Sequence, residues 1–554
     1  MNTIKNIFLS FALLLGLNGV FAQSANSVID AIQEEVDRNM AELRLEGLAP
    51  PLYISFTVAD LHTFHLSASL GTIRTSSESR SRRGLPRVLV GDYMRNTAKA
   101  AGSPGVFIST SLDDNAGLPI SIWRILDFMY KDAAERHSGY LAALQQQTRT
   151  PEEEALPDFE QREPVNMILE PVPFNVDRAY WENFLRSASE VVKQFPDILD
   201  SNLALNIQYT TSYTYDTEGS RFAVPTTFYQ LILNASVRTD DGQDIHHTMW
   251  VENATFEQMP DLATFINQCK EMLESLVALR NAPLLTVEYR GPVLLEGDAV
   301  PVIFRRAFLN NNRFFASPRL IQPASAFQGQ AQTTGGNDFE LSIGRRVISR
   351  DISIKSISGQ EFFNGQRLNG FFPIDSEGVV PDEELILIEN GMLRNLLSNR
   401  LPTQNMQHSN GHGFLNINSN TWSVRPGNLW ITSNQTFSNE ELRQKLIETA
   451  REDGLDYAYI VRLYWSGGTL IYRVFVDDGR EELVRGANVS GDTDLGVFNR
   501  ILGSSNIEQI SSFGGSVGEP RATIIHPNAM LFEELNITRV STEFRRPFIV
   551  SRPE

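Results

Sequence analysis

The sequence predicts an α+β protein in two parts: an N-terminal domain mixing helices with strands, and a C-terminal domain rich in antiparallel sheet. Three observations lead there. The chain has 554 residues, 42% hydrophobic and 21% charged, so it can bury a large core and exceeds the ~100–200 residues usual for one domain. Up to Asn281, segments with apolar residues at helical spacing alternate with segments that read as strands. Beyond residue 285 strand signals dominate, with helical patterns only near Asp298 to Phe308, Asn439 to Asp453 and Thr493 to Leu502.

Residues 1–22 have the layout of a signal peptide: Lys5 supplies positive charge, Ile7 to Leu17 an apolar run, and Val20-Phe21-Ala22 the small-residue end. The segment is too short for a stable membrane span, so cleavage before Gln23 and export to a periplasmic or extracellular compartment are expected. No later apolar run approaches ~18 residues, so no transmembrane segment is expected and the mature chain should be soluble. Val28, Ile32, Val36, Met40 and Leu43 form a helical stripe over Ser27 to Leu45. Leu52 to Ala59 and Thr63 to Leu70 read as two strands around an Asp60-Leu61-His62 turn; Arg74 to Arg83 is rich in Ser and Arg, and Arg87 to Tyr93 reads as another strand. Ser121 to Gln147 is a long helical pattern. The polar stretch Thr148 to Pro164 is expected to be an exposed crossing loop, since it lacks apolar surface to offset its ordering entropy.

Asp177 suits the N-cap of a helix carrying Trp181, Leu185, Ala188, Val192 and Phe195 on one face. A meander follows over Ala204 to Tyr215, Thr226 to Arg238 and Asp244 to Glu252, with turns at residues 216–220 and 240–242. The helix Asp261 to Arg280 places Cys269 in an apolar stripe, so that thiol reads as core. As the only cysteine it excludes an intramolecular disulfide and a Cys-based metal cluster.

In the second half, Phe371 to Asn399 carries the densest local signals. Asp375-Ser376-Glu377-Gly378 sets two carboxylates two residues apart before a Gly turn. Leu385 to Ile388 is an apolar strand, Met392 to Leu397 its return, and Asn390-Gly391 between them suits a type I′ hairpin turn.

The D-x-E-G of Asp375 to Gly378, the I-E-N-G of Ile388 to Gly391 and the Y-x-G-P-V-L of Tyr289 to Leu294 resemble the TldD/PmbA family. Its members have long been labelled modulators of DNA gyrase and are associated with peptidases. The resemblance covers most of the mature chain and is sharpest over residues 290–515. It implies a two-domain TldD/PmbA-like fold, with an N-terminal domain at 23–284 and a C-terminal domain at 285–554. The helix and strands ending in Val90-Gly91-Asp92-Tyr93 are similar to the family's opening, and Asp216-Thr217-Glu218-Gly219 resembles its N-S-E-G element while echoing the later D-S-E-G.

Active members of the family carry His-Glu-x-x-x-His after a G-x-x-L-L strand. The imidazoles hold a metal, zinc by expectation, and the Glu serves as general base. Here the matching run is Val293 to Pro301, and no histidine occurs between His247 and His408. Glu296 and Asp298 cannot replace two imidazoles for a borderline-soft metal, and Gly514 to Gly518, where the family's ligating Cys would fall, has none. The resemblance therefore implies a PmbA-type member with no metal and no other cofactor.

The substrate-binding candidates are Asp375, Glu377, Gly378, Asn390, Gly391 and His412; no catalytic residue is assigned. The acidic corner reads either as a turn whose side chain caps backbone amides or as the rim of a peptide groove. His408 and His412 have a spacing that would share a helix face, but Asn410, Gly411 and Gly413 speak for a loop. His412 alone matches the family's glycine-rich loop. The net charge of −19 argues against a nucleic-acid partner, because phosphate backbones are bound by Lys and Arg. The expected function is peptide binding by strand addition, alone, in a homodimer, or beside a motif-bearing paralogue in proteolysis. Two rivals stay open: a hydrolase rebuilt on His408, His412 or the Asp375/Glu377 corner, and a purely structural protein that keeps the fold.

Overall fold

The computed structural model describes residues 25–110, 117–322, 332–465, 468–514 and 519–540. The expected leader at 1–22, its cleavage site at Gln23 and residues 515–518 of the glycine segment lie outside the described residues. Among those described, no helix is long and apolar enough to cross a membrane.

The first half is built on a seven-stranded sheet. Its strands are β1 (Pro51–Ser69), β2 (Thr72–Val90), β3 (Ile108–Thr110), β4 (Asn166–Ile168), β5 (Ile198–Asp216), β6 (Arg221–Arg238) and β7 (Asp244–Asn253), in the order β3-β2-β1-β5-β6-β4 with β7 also beside β6. Side chains alternate across a strand, and the two faces of β1 go to different partners. Ile54, Phe56 and Val58 pack with the helices Ala25–Glu42 and Leu118–Leu144, while Phe64, Leu66 and Ala68 pack with Arg178–Glu190 and Leu262–Asn281. On the opposite face, Ala59 and Leu61 meet Leu415 and Ile417 of the second half. Helices thus cover one side of the sheet, and the C-terminal half lies against the other.

Two expectations for this half are corrected. β1 is a single 19-residue strand with no turn at Asp60-Leu61-His62. Asp60 pairs across the ladder with Arg82 at 2.6 Å, and His62 bonds Glu78 and stacks on Phe174, so these polar side chains are satisfied in an extended chain. The turn is instead at Leu70-Gly71, where both φ angles are positive (51° and 80°), and the Ser/Arg-rich segment belongs to β2. The stretch at 148–164 is also more than an exposed loop. It forms the short helix Pro151–Ala155 behind a Thr150/Glu153 capping box and then buries Asp158, Phe159 and Glu160. Tyr140, the Asn96 amide and the Ser409 amide supply the hydrogen bonds that make burial of those carboxylates tolerable.

The second half packs two sheets around one core. β8 (Tyr289–Glu296) lies inside an eight-stranded sheet between Ala529–Arg539, antiparallel, and Tyr457–Trp465, parallel. The other, six-stranded sheet includes Ile352–Ser356, Leu385–Glu389, Asn428–Ser433 and Ala522–Pro527. Val293 and Leu295 from the first sheet and Ile354, Leu387 and Ile431 from the second share a core with the helical segment 299–310. Helix Asn439–Glu452 seals the outer face through Leu442 and Leu446 against Leu294. Of the expected C-terminal helices, Thr493 to Leu502 is cut to Leu495–Phe498, because Ile501–Ser505 pairs as a strand with Ala529–Arg539. The returning strand of the hairpin is likewise only Met392–Leu393.

Candidate functional site

The two D-x-E-G segments face each other across the junction of the halves. In each, the Asp closes an Asx-type turn. Asp375 Oδ1 accepts the amides of Glu377 and Val379, while Asp216 Oδ1 accepts those of Glu218 and Ser220. The glycine that follows has positive φ in both (80° at Gly378, 103° at Gly219). Asp375 Oδ2 also takes the Gly413 amide, tying the corner to the loop that carries His412. Burial, and then the charge of Glu377, raise the Asp375 pKa, against the backbone N–H groups that lower it.

Each corner then presents its Glu to an arginine of the other half. Glu377 accepts from Arg87 of β2 at 2.6 Å, with both side chains nearly or fully buried. Glu218 accepts from Arg400 at 2.6 Å, and Arg400 also donates to the Glu160 carbonyl. Phe159 is shared: the Arg87 guanidinium lies 4.8 Å from its ring centroid and that of Arg400 4.2 Å. A Cβ on Gly413 would sit 2.5 Å from Glu377 Oε2, so any larger residue there would displace the paired carboxylate. This reciprocal clamp was half legible in the sequence through the repeated D-x-E-G; Arg87 and Arg400 carried no local signal.

A cavity of about 730 Å³ opens next to the corner, in the size range of ligand sites. One wall is the β5–β6 face, from Gln208 to Thr214 and residues 224–229; the other is residues 371–376 with Phe414 and Leu415. Asp375 and Ser376 connect this cavity to the clamp. Its lining is aromatic, with Tyr209, Phe228, Tyr229 and Phe372, and Arg521 lies 3.3 Å over the Phe228 ring. On its outer edge β6 pairs with β4 at residues 221–223 and with β7 from Tyr229 onward, and no described strand pairs with residues 224–228 between them. Arg221 N donates outward to Val165 O, and Ala223 O accepts from Leu169 N, so odd-numbered residues turn their main-chain groups to this edge. Pro225, in the gap, has no N–H; Thr227 has both groups. All five gap residues line the cavity.

The remaining candidates separate. Asn390 and Gly391 form the tip of the expected hairpin, with φ of 47° and 79°, and Asn390 bonds Ser353 and Asn434 rather than the corner. His412 is buried: Nδ1 lies 3.0 Å from the Asn410 carbonyl, and Nε2 lies 3.2 and 3.1 Å from the Ser356 and Ser358 hydroxyls. A carbonyl only accepts, so Nδ1 carries the proton and Nε2 accepts. Burial lowers its pKa to about 4, fixing a neutral ring. His408 is exposed and pairs with Glu160 at 2.9 Å, so the two imidazoles share no partner.

In the Val293 to Pro301 run, Glu296 is paired with Arg462 at 2.8 Å, and Asp298 accepts from Ser511 at 2.6 Å. The fold brings His526 beside them: its Nε2 lies 3.0 Å from Ser511, and its Nδ1 bonds the Pro527 carbonyl. Burial lowers this imidazole's pKa to about 4. Among the described residues, no group of three or more His, Cys, Asp or Glu is placed to hold a metal ion.

Residues 315–539 match the PmbA/TldA metallopeptidase C-terminal domain. The fold as a whole is that of several solved structures. A modulator of a DNA gyrase from Thermotoga maritima is 16% identical with a TM-score of 0.55, over 92% of this chain and all of that one. TldE from Thermococcus kodakarensis is 12% identical with a TM-score of 0.53, again over 92% of this chain and all of that one. A modulator of DNA gyrase from Bacteroides thetaiotaomicron is 9% identical with a TM-score of 0.55, over 92% of this chain and 98% of that one. No curated protein sequence matches the chain. The α+β fold is therefore shared with these structures, and residues 315–539 are similar to a metallopeptidase C-terminal domain. What the chain shares with the TldD/PmbA family is this C-terminal domain match over residues 315–539, together with the fold of those structures.

Proposed function

We propose that this chain is an exported peptide-binding member of the TldD/PmbA family that does not hold a catalytic metal itself and serves as a peptide-binding or partner subunit in proteolysis. The observation that carries the reading is the gap in the outer edge of β6 at residues 224–228, open to the aromatic cavity. Unpaired main-chain groups of an extended strand recognise another extended chain without regard to its sequence, while neighbouring pockets take alternate side chains. Thr227 N–H and C=O and the Pro225 C=O are the groups available to such a peptide.

The metal part of the reading rests on donor chemistry. A catalytic zinc takes three protein ligands, with neutral imidazoles and carboxylates free to coordinate. Here one carboxylate is held by a guanidinium, the other by a serine hydroxyl, and both nitrogens of the single nearby imidazole are engaged. That donor set does not fit zinc. The rebuilt-hydrolase rival finds no support in geometry, since the Asp375/Glu377 oxygens are saturated by amides and arginine and His412 is sealed behind Ser356 and Ser358.

The test uses the mature chain and a mixed library of unstructured peptides. Binding without cleavage is expected, weakened about tenfold or more by Thr227→Pro, which removes the one N–H that faces the open edge of the gap. Stoichiometric zinc with chelator-sensitive cleavage would sink the proposal. Co-purification from the host with a relative carrying His-Glu-x-x-x-His is the expected sign of a partner subunit.

A further inference from the structure

The unpaired stretch of β6 is closed at both ends by strands that run toward each other. β4 lies parallel to β6, pairs last through Ile168 with Ala223, and then gives the Leu169 N–H to the Ala223 carbonyl. β7 lies antiparallel and ends with Asn253 opposite Tyr229. The C-terminal ends of the two strands therefore point at one another across residues 224–228, a span of about 17 Å at ~3.3 Å per residue.

The sequence holds this gap open. Pro171 and Pro173 follow β4, and a residue without an N–H cannot carry a ladder onward. Beyond Asn253, the Ala254 N–H donates to Asn369 Oδ1 of the second half at 3.0 Å, and the Ala254 carbonyl accepts from the Thr227 hydroxyl. The chain is thereby drawn off the edge into the short helical turn Phe256–Gln258. Thr226, in the middle of the gap, is exposed.

The pleat sets what an added strand would present. Phe222 lies beside Gly378 and Phe228 lies under Arg521, so Phe222, Val224, Thr226 and Phe228 face the second half. Tyr229 packs with the helices and with Phe256, and Pro225 and Thr227 share its side of the sheet. Side chains opposite Val224, Thr226 and Phe228 would point toward Phe372 and Phe414, and those opposite Pro225 and Thr227 toward Phe256.

We infer that the ligand of this edge is a short, free-ended peptide of about three to five residues with apolar side chains at alternate positions. The inference rests on the peptide-binding reading above and narrows it. Three residues are the fewest that reach from Thr227 to Pro225 and so take up the Thr227 N–H and C=O and the Pro225 C=O. Five fill the gap. A sixth meets Ile168 or Asn253, whose places opposite Ala223 and Tyr229 are taken. An internal segment of a longer chain must turn off the edge at both ends, which a free-ended peptide need not do. Hydrolysis of longer chains, in which water adds across each broken peptide bond, is the class of reaction that supplies such a ligand.

The experiment incubates the full chain with mixed-sequence pools of uncharged residues, free at both ends, at fixed lengths from about two to twelve residues. Every pool then carries one ammonium and one carboxylate per peptide, and retained peptide is quantified by mass spectrometry after ultrafiltration. Affinity is expected to peak between about three and five residues and to fall at least tenfold by about eight. Pro225→Thr returns an N–H to the edge and should tighten the five-residue pool about 2- to 10-fold, whereas Thr227→Pro should weaken it about tenfold or more. If Thr227→Pro does not fold, Pro225→Thr decides. Long pools retained as tightly as the five-residue pool overturn the length limit and leave the peptide reading standing. No retention at any length removes both. A length maximum unmoved by both substitutions puts the site away from β6 and overturns the inference.

Discussion

The reciprocal clamp makes a quantitative prediction. Replacing Glu377 by Gln keeps the shape but removes the charge opposite Arg87, whose side chain is 10% exposed beside a Glu377 that is 1% exposed. The same change compromises the bond from the Arg400 amide to Glu377 Oε2 at 2.7 Å. Breaking one side of a buried pair leaves an uncompensated charge, at a cost of about 3–5 kcal/mol. Arg87→Met should cost a similar amount, because Glu377 is then the orphan. In the double variant neither charge is left alone, so its loss should fall short of the sum of the singles by at least ~1 kcal/mol. Glu218 and Arg400, paired at 2.6 Å and 7% and 1% exposed, should behave the same way. The assay is a double-mutant cycle on urea midpoints, read on the transition that separates the halves, since a chain of this size need not unfold in one step. Additivity of Glu377→Gln and Arg87→Met within ~0.5 kcal/mol would falsify the clamp as an energetic unit.

Two further predictions concern turns and titration. Gly391→Ala should destabilise by about 2 kcal/mol or more, since φ is 79° and a Cβ would lie 2.5 Å from the Ile348 carbonyl, whereas Asn390→Ala should cost only ~1 kcal/mol; equal melting temperatures for the two would refute the hairpin account. His412 is neutral when folded with its pKa near 4, below the ~6.5 of an unfolded chain, so its contribution is full above pH 6.5 and lost as pH falls toward 4, at about 1.4 kcal/mol per unit. His412→Gln should remove that slope, and a parent and variant with parallel pH–stability curves would show that the ring is accessible to protons in the native state.

Much of the architecture was legible because it is written in local periodicity. The helices at 25–42, 118–144 and 262–281 and the meander at 198–253 follow from apolar spacing and Asp or Gly punctuation, which act over a few residues. The misread segments are those where a polar side chain has a distant partner. Asp60 has the local signature of a turn residue, but its partner Arg82 lies across the ladder, and 148–164 has the composition of a loop, but Asn96, Tyr140 and Ser409 supply its hydrogen bonds. The D-S-E-G corner was legible as turn chemistry, and its carboxylate does accept backbone amides.

By itself the sequence determined the α+β class, the hairpin at Asn390-Gly391, the Asp-capped corners and the absence of histidine from the run at 293–301. Each depends on residue type and near-neighbour spacing alone. Tertiary structure decided that the two D-x-E-G corners exchange arginines and that the outer edge of β6 is left unpaired over residues 224–228. Such features join residues up to 290 positions apart, as in Arg87 and Glu377. Burial, pairing and exposure are properties of the packed chain, and no local pattern encodes which distant charge a buried arginine will meet.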